Sequence, residues 1–255
     1  MGWSSMSFRF QKIKLKLIFM RIAIIPARGG SKRIKNKNII DFLGKPLISY
    51  ALNAAKKSGL FDKIHVSTDS EEIKIIVENL GFDIDFMRPP ELSDDHTGLM
   101  PVLKWVQEKY KDMGLVFDEI CCIMPTAPLL KPDDLCDGFN LFEKHDKKNP
   151  LLVVAPFPVP VEWAFYRNEN TYLTTKDINA LSIRSQDIKP AFYEAGPFSI
   201  FSSSHLNDKN PFIKHQFISL LIDKYRAVDI DELDDLKLAK ILYLGEKSLN
   251  YHSKK

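Results

Sequence analysis

The sequence has few cysteines, no cluster of histidines and no long apolar run. Its 255 residues include only three cysteines, Cys121, Cys122 and Cys136, and none has the spacing of metal ligands. Adjacent side chains on a strand point to opposite faces, so we expect Cys121 and Cys122 to be reduced core thiols in a cytoplasmic protein. No apolar run approaches the length of a membrane span. The six histidines are scattered, which argues against a histidine-based nucleophilic triad.

The first 20 residues lack the features of a targeting segment. Lysines interrupt the apolar residues, no small-residue cleavage site follows, and Met6 stands where a myristoylation motif needs Ser or Thr. We expect residues 1–20 to be an extension outside the fold, with Met20 as an equally suitable start. The predicted layout is one domain over residues 21–245, with an insertion around 157–190 and a tail over 246–255.

Charge is distributed unevenly along the chain. The formal net charge is +3, yet residues 1–60 hold 13 Lys or Arg and a single acid, Asp41. The basic end suits phosphates, and the acidic remainder could hold a metal. A nearly neutral chain favours a local phosphate site over general affinity for duplex nucleic acid.

Short apolar runs alternate with amphipathic helical patterns from residue 22 onward, which is typical of a parallel sheet covered by helices. Strands are predicted at 22–26, 63–67, 119–124, 151–157 and 226–231, and helices at 46–59, 70–81, 100–110 and 232–244. After about residue 157, closely spaced prolines and then aromatic residues indicate an inserted flap. The expected fold class is α/β, with ligands at the carboxyl ends of the strands.

A basic, glycine-containing loop follows the first predicted strand, with the sequence ARGGSKRIKNKN over residues 27–38. We expect Gly29 and Gly30 to let successive backbone N–H groups point at one anion, while Arg28 and Lys32 or Lys37 neutralise its charge. The loop matches neither the Walker pattern nor the dinucleotide fingerprint. A plain turn is the alternative interpretation.

Two acids near the carboxyl end form a candidate metal site. Asp229 and Asp231 are two residues apart on a predicted strand, so both carboxylates should project from one face. Two hard oxygen ligands with open positions for water and phosphate suit Mg²⁺, or Mn²⁺. Alternatively, the acids precede a helix whose first turn favours negative charge, where the sequence also has Glu232, Asp234 and Asp235.

Other acids are harder to assign. Asp69, with Glu72 three residues later, is predicted to cap a helix rather than to touch substrate. Asp94, Asp95 and His96 are compatible with a metal or acid/base set and equally with a solvated loop, so their role is left open.

The combined motifs resemble the acylneuraminate cytidylyltransferases over roughly residues 21–244. They are, in family order, IIPARGGSKRIKNKNI, GKPLI, VSTDSEEI, RPPELSDD, PTAPL and AVDIDELDDLKLA. Within the family, RSQDIKPAFYEAG at residues 184–196 is most similar to members that act on pseudaminic acid. Met124 stands where sialate-specific relatives usually carry glutamine, which argues against N-acetylneuraminate. Pro197, Leu236 and Leu99 also depart from residues common in the family.

The resemblance implies a three-layer α/β/α, nucleotide-diphospho-sugar transferase-like (Rossmann-like) fold with a mostly parallel sheet and an inserted dimerisation flap. It implies a homodimer that transfers CMP from CTP to the anomeric hydroxyl of a nonulosonic acid and releases pyrophosphate. Pseudaminic acid is the expected sugar, N-acetylneuraminate and legionaminate are alternatives, and Mg²⁺ (or Mn²⁺) is the expected cofactor.

The resemblance also assigns roles by position. Arg28 and Lys37 would hold the triphosphate and stabilise the leaving pyrophosphate, and together with Asp229 they form the expected catalytic set. The remaining matched positions are Gly29, Gly30, Ser31 and Lys32 in the phosphate loop, Asn38 and Arg88 at the cytidine, Asp229 and Asp231 at the metal, and Gln186, Asp187, Tyr193 and Glu194 at the sugar.

Two other function classes deserve comparison. An Asp-x-Asp pair on a nucleotide-binding α/β domain is also the signature of metal-dependent glycosyltransferases. The basic glycine loop argues instead for cleavage between phosphates. A non-catalytic nucleotide or RNA-binding module would show steeply salt-dependent RNA binding without CTP turnover.

Overall fold

The computed structural model describes residues 19–208 and 216–252. Its strands are β1 Arg21–Pro26, β2 Asp41–Phe42, β3 Lys45–Pro46, β4 Lys63–Ser67, β5 Glu119–Ile123, β6 Leu151–Pro156, β7 Phe165–Arg167, β8 Leu173–Thr175, β9 Phe192–Ser202 and β10 Ile218–Leu221. Its α-helices are α1 Ile48–Ser58, α2 Glu71–Asn79, α3 Leu99–Asp112, α4 Pro132–Lys144 and α5 Leu233–His252.

The central sheet is mostly parallel, as predicted. Its six strands have the order β10-β6-β9-β5-β1-β4. β1 pairs in parallel with both β4 and β5, and β10 pairs in parallel with β6. β9 is antiparallel to its neighbours β5 and β6. Because β1 lies between β4 and β5 and is covered on both faces, its residues 22–26 are all buried, which explains their unbroken apolar run.

Helices cover both faces of the sheet, so the three-layer prediction is confirmed. One core cluster joins the sheet to α1, α2 and α4, and a second joins it to α3. Cys121 belongs to the first cluster and Cys122 to the second. Both thiols are buried and free, as their adjacent positions on a strand predict.

The helix α1 follows the sequence pattern closely. It ends at Gly59, which adopts the left-handed conformation with φ 66°, as predicted for its C-cap. By contrast, α4 was not predicted, although Pro132 in its first turn and the spacing of Leu135, Phe139 and Phe142 indicate a helix. α5 continues to His252, beyond the predicted helix end and into the segment expected to be a tail.

The strand predicted at residues 226–231 is wrong. The chain there is irregular. The strand that resumes the sheet is β10, which begins at Ile218, eight residues before the start of the predicted strand. β7 and β8 form a separate antiparallel hairpin inside the predicted insertion. None of the described helices is long and apolar enough to cross a membrane. The predicted extension over residues 1–20 lies almost wholly outside the described residues.

Candidate active site

A cavity of about 500 Å³ opens where β1 ends and the basic loop begins. The turn after β5 and the segment before α5 also contribute to its wall. The lining residues that were predicted from the sequence are Arg28, Ser31, Lys32, Lys37, Asn38, Arg88 and Asp231. The cavity therefore collects most of the predicted phosphate residues, both cytidine residues and one of the two metal residues at one edge of the sheet, as expected for an α/β fold.

Lys37 joins the basic loop to the acidic segment. Its Nζ donates to Asp231 Oδ1 at 3.1 Å and to the carbonyl oxygen of Ile230 at 2.8 Å. Arg33 Nη2 lies 2.8 Å from the same Asp231 oxygen. Burial opposes ionisation of Asp231, but the hydrogen bond and the charges of Lys37 and Arg33 outweigh it and lower the pKa of this carboxyl. Asp231 is therefore ionised at neutral pH.

Asp229 has the opposite electrostatic environment. Its pKa is raised, first because burial disfavours the charged form and second because the Asp231 carboxylate repels it, with Lys37 offsetting only part of this effect. Asp229 is not among the residues that line the cavity, but its carboxyl interacts with the charges of Asp231 and Lys37. A cation between the two carboxylates would relieve the repulsion, so this donor set fits a divalent metal.

These two acids do not reach their positions through a strand, so the predicted strand geometry is wrong. The backbone N–H groups of Asp231 and Glu232 donate to Asp235 Oδ2 at 3.0 and 2.8 Å, and Lys37 binds the carbonyl of Ile230. These groups are thus used at the start of α5 rather than in a sheet ladder. The alternative interpretation of the acids as helix-start residues applies to Asp235.

The first glycine of the pair contacts a protein carboxylate. The Gly29 N–H donates to Asp69 Oδ1 at 2.8 Å. The predicted binding of a phosphate by Gly29 and Gly30 stays a prediction. A Cβ on Gly29 would lie 2.9 Å from the Cβ of Ser70, whereas a Cβ on Gly30 would meet nothing within 4 Å. Gly29 is needed because the loop packs directly against the start of α2.

Asp69 is not the helix cap that the sequence predicted. Ser70 is the N-cap of α2, with its hydroxyl accepting from the Ile73 N–H at 3.4 Å. Asp69 instead anchors Gly29 and faces Arg88. Burial lowers the pKa of the Arg88 guanidinium, and the charge of Asp69 opposes this shift. Asp69 therefore connects the phosphate loop to the predicted cytidine side of the cavity.

Asn38 and Arg88 are among the few buried polar side chains, at 5% and 6% exposure. Asn38 Nδ2 donates to the carbonyl oxygen of Arg28 at 2.9 Å and thereby fixes the basic loop. Arg88 Nε donates to Ser67 Oγ at 3.0 Å and its Nη2 to the Ser67 carbonyl at 2.5 Å. Both side chains are held in place by protein contacts and still line the cavity.

Asp94 and Asp95, whose roles the sequence leaves open, make different contacts. Asp94 Oδ1 accepts from the N–H groups of His96 and Thr97 at 2.8 and 2.7 Å, which is a loop-forming role. Asp95 instead pairs with Arg28 at 2.7 Å and with Lys32. Hydrogen bonds from Lys32 and then Arg28 lower the pKa of Asp95. Asp95 is thus the anion that Arg28 and Lys32 contact here.

Residues 22–248 match the family model described as cytidylyltransferase. The chain belongs to the cytidylyltransferase family. It is 39% identical over 222 residues to pseudaminic acid cytidylyltransferase of Campylobacter jejuni subsp. jejuni serotype O:2, covering 87% of this chain and 95% of the relative. It is 27% identical over 234 residues to CMP-N,N'-diacetyllegionaminic acid synthase of Legionella pneumophila, covering 90% and 100%.

A solved structure of CMP:2-keto-3-deoxy-manno-octonic acid synthetase complexed with CTP matches this cytidylyltransferase with a TM-score of 0.65 at 16% identity. The match covers 89% of this chain and 99% of the other. At this identity the likeness shows the fold alone, and it confirms the nucleotide-sugar transferase-like fold that the resemblance implied.

The cytidylyltransferase places its predicted sugar residues in two different environments. Tyr193 and Glu194 pair with Ala155 and Val154 near the end of β6. Because β9 runs antiparallel to β5 and β6, its beginning lies at the same edge as the cavity. Gln186 and Asp187 lie instead in an exposed turn of the insertion and do not line the cavity.

The sequence patterns did not single out several cavity residues, among them Arg33 and Thr126, and they left the role of Asp95 open. Arg33 was passed over although it lies in the basic loop, and Thr126 although it follows β5 in the turn PTAP. Thr126 is buried at the cavity wall, and the half-buried Met124, which the resemblance singles out, lines the same cavity. Asp95 was noticed without a role. The charge of the basic loop could have indicated Arg33, and the position just after a strand could have indicated Thr126.

Proposed function

We propose that this cytidylyltransferase transfers CMP from CTP to the anomeric hydroxyl of pseudaminic acid and releases pyrophosphate. The observation that carries the proposal is the single cavity lined by Arg28, Lys37, Arg88 and Asp231, residues far apart in the sequence. The relative named pseudaminic acid cytidylyltransferase, aligned over 87% of the chain, supports the choice of sugar.

The cations of the loop bind the triphosphate in this proposal. Arg28 contacts Asp95 and the carbonyl oxygen of Asp94 through Nη1, and Lys32 contacts Asp95. The triphosphate replaces Asp95 as their anionic partner. Ser31 lines the same wall, while Gly29 and Gly30 shape the loop behind it. Arg88 and Asn38, rigidly held, recognise the cytidine.

Asp229 and Asp231 would hold Mg²⁺, or Mn²⁺, in the loaded enzyme. No group of three or more His, Cys, Asp or Glu in the described part of the chain could hold a metal by itself, so the remaining ligands would be phosphate oxygens and water. A bound divalent cation supplies charge neutralisation across the phosphates and acidifies a coordinated hydroxyl.

Transfer is an in-line displacement in which the anomeric hydroxyl loses its proton to water, its oxygen forms a bond to the α-phosphorus of CTP, and the bond from that phosphorus to pyrophosphate breaks. Lys37 hydrogen-bonds Asp231 and lines the cavity, so it can turn toward the phosphates as negative charge develops on the leaving group. Arg28 presents a fork of donors to the same oxygens. These side chains position the reactants and stabilise the departing charge.

Pseudaminic acid binds toward the start of β9 in this proposal. Tyr193 and Glu194 lie at the cavity edge of the sheet, and Gln186 and Asp187 reach the sugar from the insertion. The three reduced thiols suit work in the cytoplasm, where nucleoside triphosphates are available.

The insertion forms a homodimer in this proposal. Tyr166 and Tyr172 on the hairpin are 66% and 72% exposed, and Leu173 is 60% exposed, which is an unusual density of apolar surface. Sedimentation velocity should give twice the chain mass. The variant Leu173→Lys should shift the enzyme toward monomer, whereas the exposed Leu115→Lys, outside the insertion, should not. A wild-type protein that sediments as a monomer would contradict the proposed homodimer.

A pyrophosphate-release assay with CTP and a panel of nonulosonic acids tests the function. We expect turnover that requires both CTP and the sugar acid, with pseudaminic acid as the best substrate. N-acetylneuraminate outpacing pseudaminic acid tenfold would overturn the choice of sugar. Release of a free sugar from a nucleotide sugar, without use of CTP, would overturn the reaction itself.

A further inference from the structure

A second cavity, of about 320 Å³, lies between α1 and α5 and is floored by residues 128–132. It shares no lining residue with the nucleotide cavity. Four lysines line it, against a single carboxylate: Lys45, Lys57, Lys131, Lys247 and Glu246. We propose that this groove is a binding site for a small phosphate-bearing anion.

The charge of the groove is not balanced by the protein. Glu246 is already paired with Lys131. Across the described residues, no carboxylate oxygen lies within 4.0 Å of the Nζ of Lys45, Lys57 or Lys247. Lys247 lies over the Tyr243 ring at 4.7 Å instead. Three cations that share a groove without a counter-charge repel one another, and a bound anion relieves that repulsion.

A buried hydroxyl lies in the α1 wall of the groove. Ser49 is 1% exposed and lines the cavity, yet its Oγ has no hydrogen-bond partner. A buried hydroxyl without a partner is costly, so such a group calls for an explanation. An oxygen of a bound phosphate would accept its proton.

The start of α1 adds donors at the same place. Ser49 lies in the first turn of α1, which has no side-chain cap and no acidic residue to satisfy its positive end. Asn53, one turn later, donates its amide to the Ser49 carbonyl at 2.6 Å rather than to the Ser49 hydroxyl. A helix N-terminus next to lysines is suited to phosphate oxygens, which are strong acceptors.

The site is tested by calorimetric titration of the full-length protein with inorganic pyrophosphate. The double variant Lys57→Gln/Lys247→Gln should bind at this site at least about tenfold more weakly, the effect of losing charged donors. The matched control Lys56→Gln/Lys144→Gln removes two lysines from outside the groove and should bind normally. Unchanged binding in the first variant, or equal loss in both, overturns the proposal.

Pyrophosphate is also expected to bind in the nucleotide cavity. The variant Lys37→Ala distinguishes binding in that cavity from binding in the groove. If both proposals hold, the wild type shows two sites and each variant loses a different one. If only the groove binds, one site remains in Lys37→Ala and is lost in Lys57→Gln/Lys247→Gln. Ser49→Ala should weaken groove binding without lowering the melting temperature of the free protein, because it removes an unpartnered hydroxyl.

Discussion

Lys37 Nζ donates a hydrogen bond of 3.1 Å to Asp231 Oδ1 across 194 positions of the sequence. This contact brings the basic loop after the first strand and the acidic segment before the last helix to one cavity. Lys37 and Asp231 are therefore each other's ion-pair partners before any nucleotide binds. In the proposed reaction Lys37 therefore has to share its charge between Asp231 and the phosphates.

The variant Lys37→Ala should reduce CTP turnover by on the order of a hundredfold or more, the usual cost of losing one charge-stabilising donor. The loss should appear mainly in kcat, because Lys37 acts on charge that develops in the transition state. Steady-state pyrophosphate release measures it.

Lys35→Ala is the matched control, since Lys35 is exposed in the same loop and does not line the cavity. It should remain close to wild-type activity. Near-normal turnover of Lys37→Ala would remove Lys37 from the catalytic set.

The glycine pair offers a test in which the two residues serve as controls for each other. Gly29→Ala should lower activity by about tenfold or more, because its Cβ would press on Ser70 at 2.9 Å and displace the loop that carries Arg28. Gly30→Ala meets nothing within 4 Å and should retain activity. Steady-state kinetics and melting temperatures of the two variants test this prediction. Equal losses of activity in both variants would show that packing against α2 is not what requires glycine at position 29.

Local patterns were enough to predict most of the elements that carry the site. Short apolar runs located β1, β4, β5 and β6, and period-3.6 spacing located four of the five helices, because burial of apolar side chains dominates those segments. The acidic segment was misassigned as a strand. Its apolar Val228 and Ile230 pack against α5 residues rather than against a sheet neighbour, and alternation alone does not distinguish the two.

Long-range pairings within the site could not be predicted from spacing. The bond from Gly29 to Asp69 and the pairing of Asp95 with Arg28 depend on which loops the fold places side by side. Charge in the basic loop nevertheless indicated an anion site, because an unbalanced cationic cluster needs a partner. The identity of that partner in the folded chain, Asp95 and Asp231, required the tertiary structure.

Asp229→Asn should abolish the proposed metal-dependent activity and yet stabilise the free protein at pH 7. The pKa of Asp229 is raised above its usual 3.8, so the native state disfavours the ionised form that the unfolded chain adopts above that pH. The cost is present at neutral pH and disappears as pH falls below 3.8. Thermal unfolding at pH 7 and pH 3 should show the gain only at pH 7.

Addition of Mg²⁺ should raise the melting temperature of the wild type and leave that of Asp229→Asn unchanged, since a ligand stabilises the state that binds it. Asp234→Asn, a nearby exposed acid in α5, should respond to Mg²⁺ like the wild type. An equal response in Asp229→Asn would place the metal elsewhere.

His65 gives the fold a pH dependence that is separate from catalysis. The ring is fully buried, its Nδ1 lies 2.9 Å from the Tyr110 hydroxyl oxygen, and its Nε2 has no hydrogen-bond partner. Tyr110 donates its own proton to Asp85. Burial, the largest cause, lowers the pKa of His65 to about 3, and the nearby charge of Asp85 offsets this only in part.

Between pH 6.5 and about 3 the unfolded chain binds a proton at His65 that the native state does not, so stability should fall as pH decreases through this range. The contribution approaches about 1.4 kcal/mol per pH unit below 6.5. Urea unfolding of the wild type and His65→Gln between pH 6.5 and 4.5 measures it, because other titrating groups contribute to both proteins. The variant should show the shallower slope, and identical slopes would mean that the native state accommodates a protonated His65.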